Sequence, residues 1–321
     1  MNKNLNKIVP AALILLVVGA LIAVAAMFSM KFDFTRLGTR KNETNTYTPS
    51  GDFDDILIST DTAEVVFLPS EDGKLKVVCV EETGGKHIVS TLSGKLTIQA
   101  VDTRKWYENL GVNAEKTSVT VYLPKKDYGV LNLGTHTGDV TVPAGFRFER
   151  VIMDAGTADI DFRAGVEGSV EIRTSTGGIT LTGVQAASLD LKAGTGHIRV
   201  SESVVGGKVS AETGTGKVSF TDLNCAEAQV KTTTGNVDLV RVLASDILRV
   251  TTDTGDVDFD RSDAPEITVE TDTGDVTGTL LTPKIFEADT GTGKVKLPRS
   301  EPGGYCTLKS DTGDFELTIA G

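Results

Sequence analysis

A Thr-Gly-x-(Val/Ile) unit that returns every 19 or 20 residues constrains this chain more than any other feature. Its glycines are Gly138, Gly177, Gly196, Gly216, Gly235, Gly255, Gly274, Gly293 and Gly313, with Ala158 in the remaining place and Phe315 closing the last copy. Ten copies at a fixed period mark a repeat architecture, in which each unit buries its apolar face only by stacking on its neighbours. Seven and five residues before the glycine every copy is apolar, from Leu131 and Leu133 in the first to Cys306 and Leu308 in the last. Two residues after it stands Val, Ile or Phe, and the positions between are mostly polar. Alternation with period two is a strand with one buried face. Two such strands meeting at a Thr-Gly corner make one rung of a parallel β-helix. Rungs stack about 4.8 Å apart, so ten of them form a rod of about 48 Å. A helical reading fails, because Gly, Thr and Val are all unfavourable in helix interiors.

Threonine precedes the corner in all ten copies, from Thr137 to Thr312. Its parity matches the inward positions, which predicts hydroxyls at the corner of the core. Apolar residues seven to nine places after the glycine (Val184, Val204, Leu223, Val242, Leu281) predict a shorter third side. Phe315, Leu317 and Ile319 read as the last strand of the rod. No capping helix follows, so that edge is expected to invite a second copy of the chain.

Before residue 130 the period breaks. Residues 51–129 read as an irregular β cap holding degenerate first repeats, and 130–321 as the regular solenoid. Ile56, Ile58, Val65 and Phe67 repeat the inward pattern with Ala63 in the glycine place, and Val89, Gly94, Leu96 and Ile98 form a weaker echo. The longest insertion of the cap, 102–115, carries Trp106 and Tyr107. This aromatic pair is a candidate partner contact, against the plainer reading that it packs on the cap.

Residues 8–30 contain no charge and, as a helix, reach about 34 Å, enough to cross a hydrocarbon core. The segment 1–30 is therefore predicted to be a transmembrane anchor, and the polar segment 31–50 a linker. Its length favours an uncleaved anchor over a signal peptide cut near Ala23-Val24-Ala25. Either reading places the remainder outside the cytoplasm.

The chain carries 44 acidic against 32 basic residues, a net charge of −12, with no local basic stripe. Nucleic acid is an unfavourable partner on that ground. Cys79, Cys225 and Cys306 are far apart and odd in number, which predicts free buried thiols. Asp253, Asp256, Asp272 and Asp275 flank adjacent corners and are candidate Ca²⁺ ligands, against the plainer reading of solvated turn carboxylates. The three histidines lack zinc spacing, and the Gly-x-Gly strings open strands where a nucleotide loop would open a helix. No cofactor is expected, and so uniform a repeat reads as a scaffold. A carbohydrate-active β-helix enzyme and a Ca²⁺-dependent adhesion module are the alternatives.

Val119-Thr120-Val121-Tyr122-Leu123-Pro124, then Val130-Leu131-Asn132-Leu133 and Thr137-Gly138-Asp139-Val140, resemble the bacterial "putative adhesin" family of β-strand-repeat proteins. The N-terminal anchor is similar to that of its membrane-bound LiaG-like members. The resemblance implies a place in the bacterial cell envelope linked to envelope stress. It carries no catalytic residues. The anchor and the siteless repeat read as a non-enzymatic extracytoplasmic scaffold, whose partner is expected to be another envelope protein or a cell-wall component.

Overall fold

The computed structural model describes residues 41–102 and 116–320, together with five helical residues near the N-terminus: Leu16, Val18, Gly19, Leu21 and Val24. Among the described residues no helix is long and apolar enough to cross a membrane. The anchor predicted over residues 8–30 lies largely outside them, as do Trp106 and Tyr107.

Beyond residue 40 the described chain is all β. The cap and first rungs comprise β1 (Asn42–Tyr47), β2 (Phe53–Thr60), β3 (Glu64–Pro69), β4 (Lys76–Glu82), β5 (Gly85–Leu92), β6 (Gly94–Asp102), β7 (Ser118–Leu123), β8 (Asp127–Thr137) and β9 (Val140–Val142). The middle of the rod follows as β10 (Arg147–Thr157), β11 (Ile160–Phe162), β12 (Gly165–Val166), β13 (Ser169–Thr176), β14 (Ile179–Thr182), β15 (Gln185–Ala186) and β16 (Ser188–Thr195). It continues through β17 (Ile198–Val205), β18 (Lys208–Thr215), β19 (Val218–Thr234), β20 (Val237–Thr254) and β21 (Val257–Ser262). The far end holds β22 (Glu266–Thr273), β23 (Val276–Leu280), β24 (Ile285–Thr292), β25 (Val295–Lys296), β26 (Tyr305–Thr312) and β27 (Phe315–Ile319).

The strands stack in parallel register as a solenoid of about ten turns. Leu131 pairs with Val151, Val151 with Val170, and Val170 with Leu189, so equivalent repeat positions face one another along the rod. The columns seven and five before the corner and two after it are buried in every rung but one. That core is built almost wholly of Val, Leu, Ile, Phe and Ala, whose apolar area supplies the main drive for stacking.

A third side exists, with a register one residue earlier than some of the predicted positions. Val184, Leu223 and Val242 are buried, whereas Val204 and Leu281 are exposed and the inward place in the rung of Val204 belongs to Ser203. Ser203 and Ser262 each accept a backbone N–H from the preceding rung, at Val184 and Val242. One residue before this column the chain turns through a left-handed conformation, with φ of 52° at Glu202, 53° at Asp222, 52° at Arg241 and 50° at Arg261. Arg241 and Asp222 form a bidentate ion pair across two of these turns.

Both ends of the rod depart from sequence order. At the first end, β2 pairs β8 on one side and β6 on the other, and β3 lies between β9 and β7. Ile56 faces Leu131 and Val65 faces Val140, so the degenerate repeat is a true rung with Ala63 at its corner. The weaker echo is shifted. Leu96 and Ile98 do align with Ile56 and Ile58, but Gly94 turns the β5–β6 hairpin and is no corner. Antiparallel strands close this end: β5 on β6, β4 on β7, and β1 on β4.

At the other end the last strands of the sequence are not the last rung. β26 pairs with β22 on one side and β24 on the other, and β27 lies between β23 and β25. Phe315 and Leu317 are therefore buried, against the expectation that they form an open edge. The open rung is β24–β25, where Ile285 is 42% and Val295 48% exposed. Beneath it Lys284 is fully buried, paired with Asp263 at 2.6 Å.

Candidate functional site

The corner column runs the length of the rod, and its positions differ in what they do. The glycine is there because rungs touch backbone to backbone. A Cβ on Gly196 would run into the carbonyl oxygen of Gly177, and Gly196 has a φ of 155° that side chains disfavour. Ala158 fits the same place by turning its Cβ into the core, where it is 3% exposed.

Three residues before the corner the column is Thr, Ala or Ser, and it is this column that is inward. Thr213 donates to the corner carbonyl of Gly196 at 3.0 Å, and Thr290 to that of Gly313 at 3.0 Å. Buried backbone carbonyls left without a donor would be costly, and these hydroxyls satisfy them.

One residue after the corner, an acceptor side chain takes the N–H of the equivalent residue on the adjacent rung. Asp139 accepts from Asp159 at 2.9 Å, Asn236 from Asp256 at 3.1 Å, Asp256 from Asp275 at 3.0 Å, and Asp275 from Asp314 at 2.7 Å. Asp256 and Asp275 are thus committed to backbone donors. Asp253 and Asp272 sit two residues before the corner and are exposed. Among the described residues these four do not form a cluster with the mutual ligand spacing of a metal site.

The threonine directly before the corner corrects the sequence reading. All ten, Thr137, Thr157, Thr176, Thr195, Thr215, Thr234, Thr254, Thr273, Thr292 and Thr312, are exposed. They remain in register from rung to rung, Thr195 facing Thr215 and Thr273 facing Thr312. Among the described residues their hydroxyls join no side-chain hydrogen bond of the fold, so the column is a file of free hydroxyls in rung register. At the capped end it opens into a depression of ≈ 660 Å³ lined by Thr137, Thr157, Thr176, Asp139 and Asp159. Three outward basic residues are engaged nearby: Lys192 with Glu212 at 3.1 Å, Lys217 with Asp238, and Arg173 with Glu171.

A second polar site lies inside the cap. Glu81 is 2% exposed and His87 7% exposed. Glu81 Oε2 accepts the backbone N–H of His87 at 2.8 Å and its Nδ1 at 2.7 Å. Glu81 Oε1 accepts from Asn45 Nδ2 at 2.7 Å and Tyr47 Oη at 3.2 Å. His87 Nε2 stands 3.4 Å from Thr60 Oγ1. Burial, reinforced by the Glu81 carboxylate, pushes the Tyr47 phenol up to about 12, and the same two causes push the Cys79 thiol up to about 12. A cleft of ≈ 420 Å³ reaches Glu81, His87 and Thr60 from the surface. Sequence reasoning missed this site. Its signal was a charge at inward parity, since Val77, Cys79 and Glu81 alternate on one face of β4.

The family model described as Toastrack DUF4097 matches this chain twice, over residues 53–214 and 206–321. The chain belongs to the Toastrack DUF4097 family. Two solved structures are similar to it in fold. A "putative adhesin" from Parabacteroides distasonis ATCC 8503 is 12% identical, with a TM-score of 0.52 over 88% of this chain and 98% of its own. A "putative lipid binding protein" from the same organism is 18% identical, with a TM-score of 0.50 over 73% of this chain and 94% of its own. None of the curated proteins compared with the chain matches it.

Proposed function

We propose that this Toastrack chain is a non-enzymatic, adhesin-like scaffold of the bacterial cell envelope, anchored by residues 8–30 with its rod outside the membrane. Its ligand is a linear, hydroxyl-rich cell-wall polymer laid along the threonine column. The observation that carries this reading is ten identical exposed hydroxyls that the fold does not use. The fold uses the glycines, inward hydroxyls such as those of Thr213 and Thr290, and the acceptor side chains after the corner, and it has no need of the Thr195 or Thr215 hydroxyl. A file of donors and acceptors at rung spacing suits a ligand that repeats along its own length, with many weak hydrogen bonds adding as avidity. The charge-free N-terminal segment supports the anchor, and the place beside envelope-stress systems rests on the resemblance to LiaG-like members. A second copy of the chain, stacked on the open β24–β25 rung, would extend the same column.

The test is co-sedimentation of the full chain, purified in detergent, with isolated cell-wall polysaccharide. Replacing Thr176, Thr195, Thr215, Thr234 and Thr254 together by Val should leave the melting temperature within a few degrees and weaken binding at least tenfold. Undiminished binding by that variant would end the proposal.

A further inference from the structure

The cap cluster has no part in the threonine column. The inward positions of β4 run Val77, Cys79, Glu81, so a carboxylate stands where an apolar side chain would pack at less cost. Cys79 is 0% exposed, Glu81 2% and His87 7%. Among the described residues they form the one group of three His, Cys, Asp or Glu side chains whose ligand atoms lie within 4.8 Å of one another.

We propose that Cys79, Glu81 and His87 bind a transition-metal ion of the zinc class through sulfur, oxygen and nitrogen, with a fourth position facing the cleft. The donor set chooses the metal. A thiolate and an imidazole disfavour Ca²⁺ and Mg²⁺, which take oxygen ligands, and suit Zn²⁺. Bond lengths of about 2.3 Å to sulfur and about 2.0–2.1 Å to nitrogen need only small side-chain shifts from the observed spacing. The ion would replace the His87 Nδ1–Glu81 hydrogen bond. Three protein ligands leave one position for water or for a donor atom from a bound molecule, and the ≈ 420 Å³ cleft supplies the path. Asn45 and Tyr47 already hold Glu81 from behind, as outer partners of metal ligands do. Glu81 comes from a strand paired with β1 and β7, and His87 from a strand paired with β6. An ion there would fasten two sides of the rod together at its closed end.

The experiment titrates the full chain, stripped with chelator, with Co²⁺. The expected result is a near-ultraviolet thiolate-to-cobalt band that saturates at about one equivalent and is bleached by Zn²⁺. Cys79→Ser should remove the band, and Cys225→Ser and Cys306→Ser should keep it. Asn45→Ala should weaken affinity about tenfold. Should the cap variants fail to fold, the unmodified chain still decides the matter, since Zn²⁺ must raise its unfolding midpoint. Absence of the band at millimolar Co²⁺, a band surviving in Cys79→Ser, or a midpoint indifferent to Zn²⁺ would each overturn the site.

Discussion

Thr213 and Thr215 stand two residues apart in one rung and do opposite things. Thr213 is 1% exposed and donates to the Gly196 carbonyl at 3.0 Å, whereas Thr215 is exposed. Valine has nearly the same shape as threonine, so it isolates the hydroxyl. Thr213→Val leaves a buried carbonyl without its donor and should cost about 1–2 kcal/mol. Thr215→Val should change stability by less than about 0.5 kcal/mol. Urea unfolding of the two variants measures the contrast, and equal losses would return the outer column to the core. The sequence could not separate these positions. The inward columns three before and two after the corner are five residues apart, an odd number, so strict alternation must fail somewhere between them. Nothing in Thr-x-Thr-Gly-Asp states where. The structure puts the slip across the whole corner, with both residues before the glycine turned outward.

At the scale of elements, the rungs were legible and their order was not. The apolar columns fixed strand, corner and period because each core position demands the same chemistry in every copy. The last two rungs satisfy those columns equally well, so exchanging them leaves the pattern unaltered. The distinguishing signs are local. The link between β23 and β24 is short, and the return from β25 to β26 passes through Pro298, Pro302, Gly303 and Gly304. The Glu81–His87 pair was hidden for a different reason: the two lie six residues apart, but Asn45, Tyr47 and Thr60 around them come from β1 and β2, distant in sequence. The exchange relocates the exposed edge to β24–β25, where Phe286, Ala288 and Leu297 lie half-buried against the core and Ile285 and Val295 are exposed. Open strand edges seek partners. Light scattering of the full chain in detergent should show a concentration-dependent dimer, and Ile285→Lys with Val295→Lys should abolish it. A monomer at all concentrations would confine the open edge to a passive role.

The molecule as a whole keeps its thiols buried, and this gives its stability a pH dependence. Cys225 and Cys306 are free and buried, and burial raises each from 9.0 to about 12. The sign follows from proton linkage. Below pH 9 the thiols are protonated in both folded and unfolded chains, and their contribution is fully present. Between pH 9 and about 12 the unfolded chain sheds protons that the folded chain keeps, so stability falls. Urea midpoints should be level from about pH 7 to 8 and drop above 9, and a Cys225→Ala, Cys306→Ala chain should show a shallower fall. An identical fall in that variant would assign the alkaline limb to other groups.

The displaced order of the last two rungs also has a meaning in time. A chain made from its N-terminus can add each earlier rung of the regular rod to the one just finished, as a wall rises by courses. The β24–β25 rung cannot follow that rule, because the surface it rests on is β26–β27, which is synthesised later. Its residues reach their final support only once the segment beyond Tyr305 has been made and has paired with β22 and β23. The rod is thus locked by its keystone, and a chain stopped before Tyr305 would lose an inner course as well as its latest-made piece.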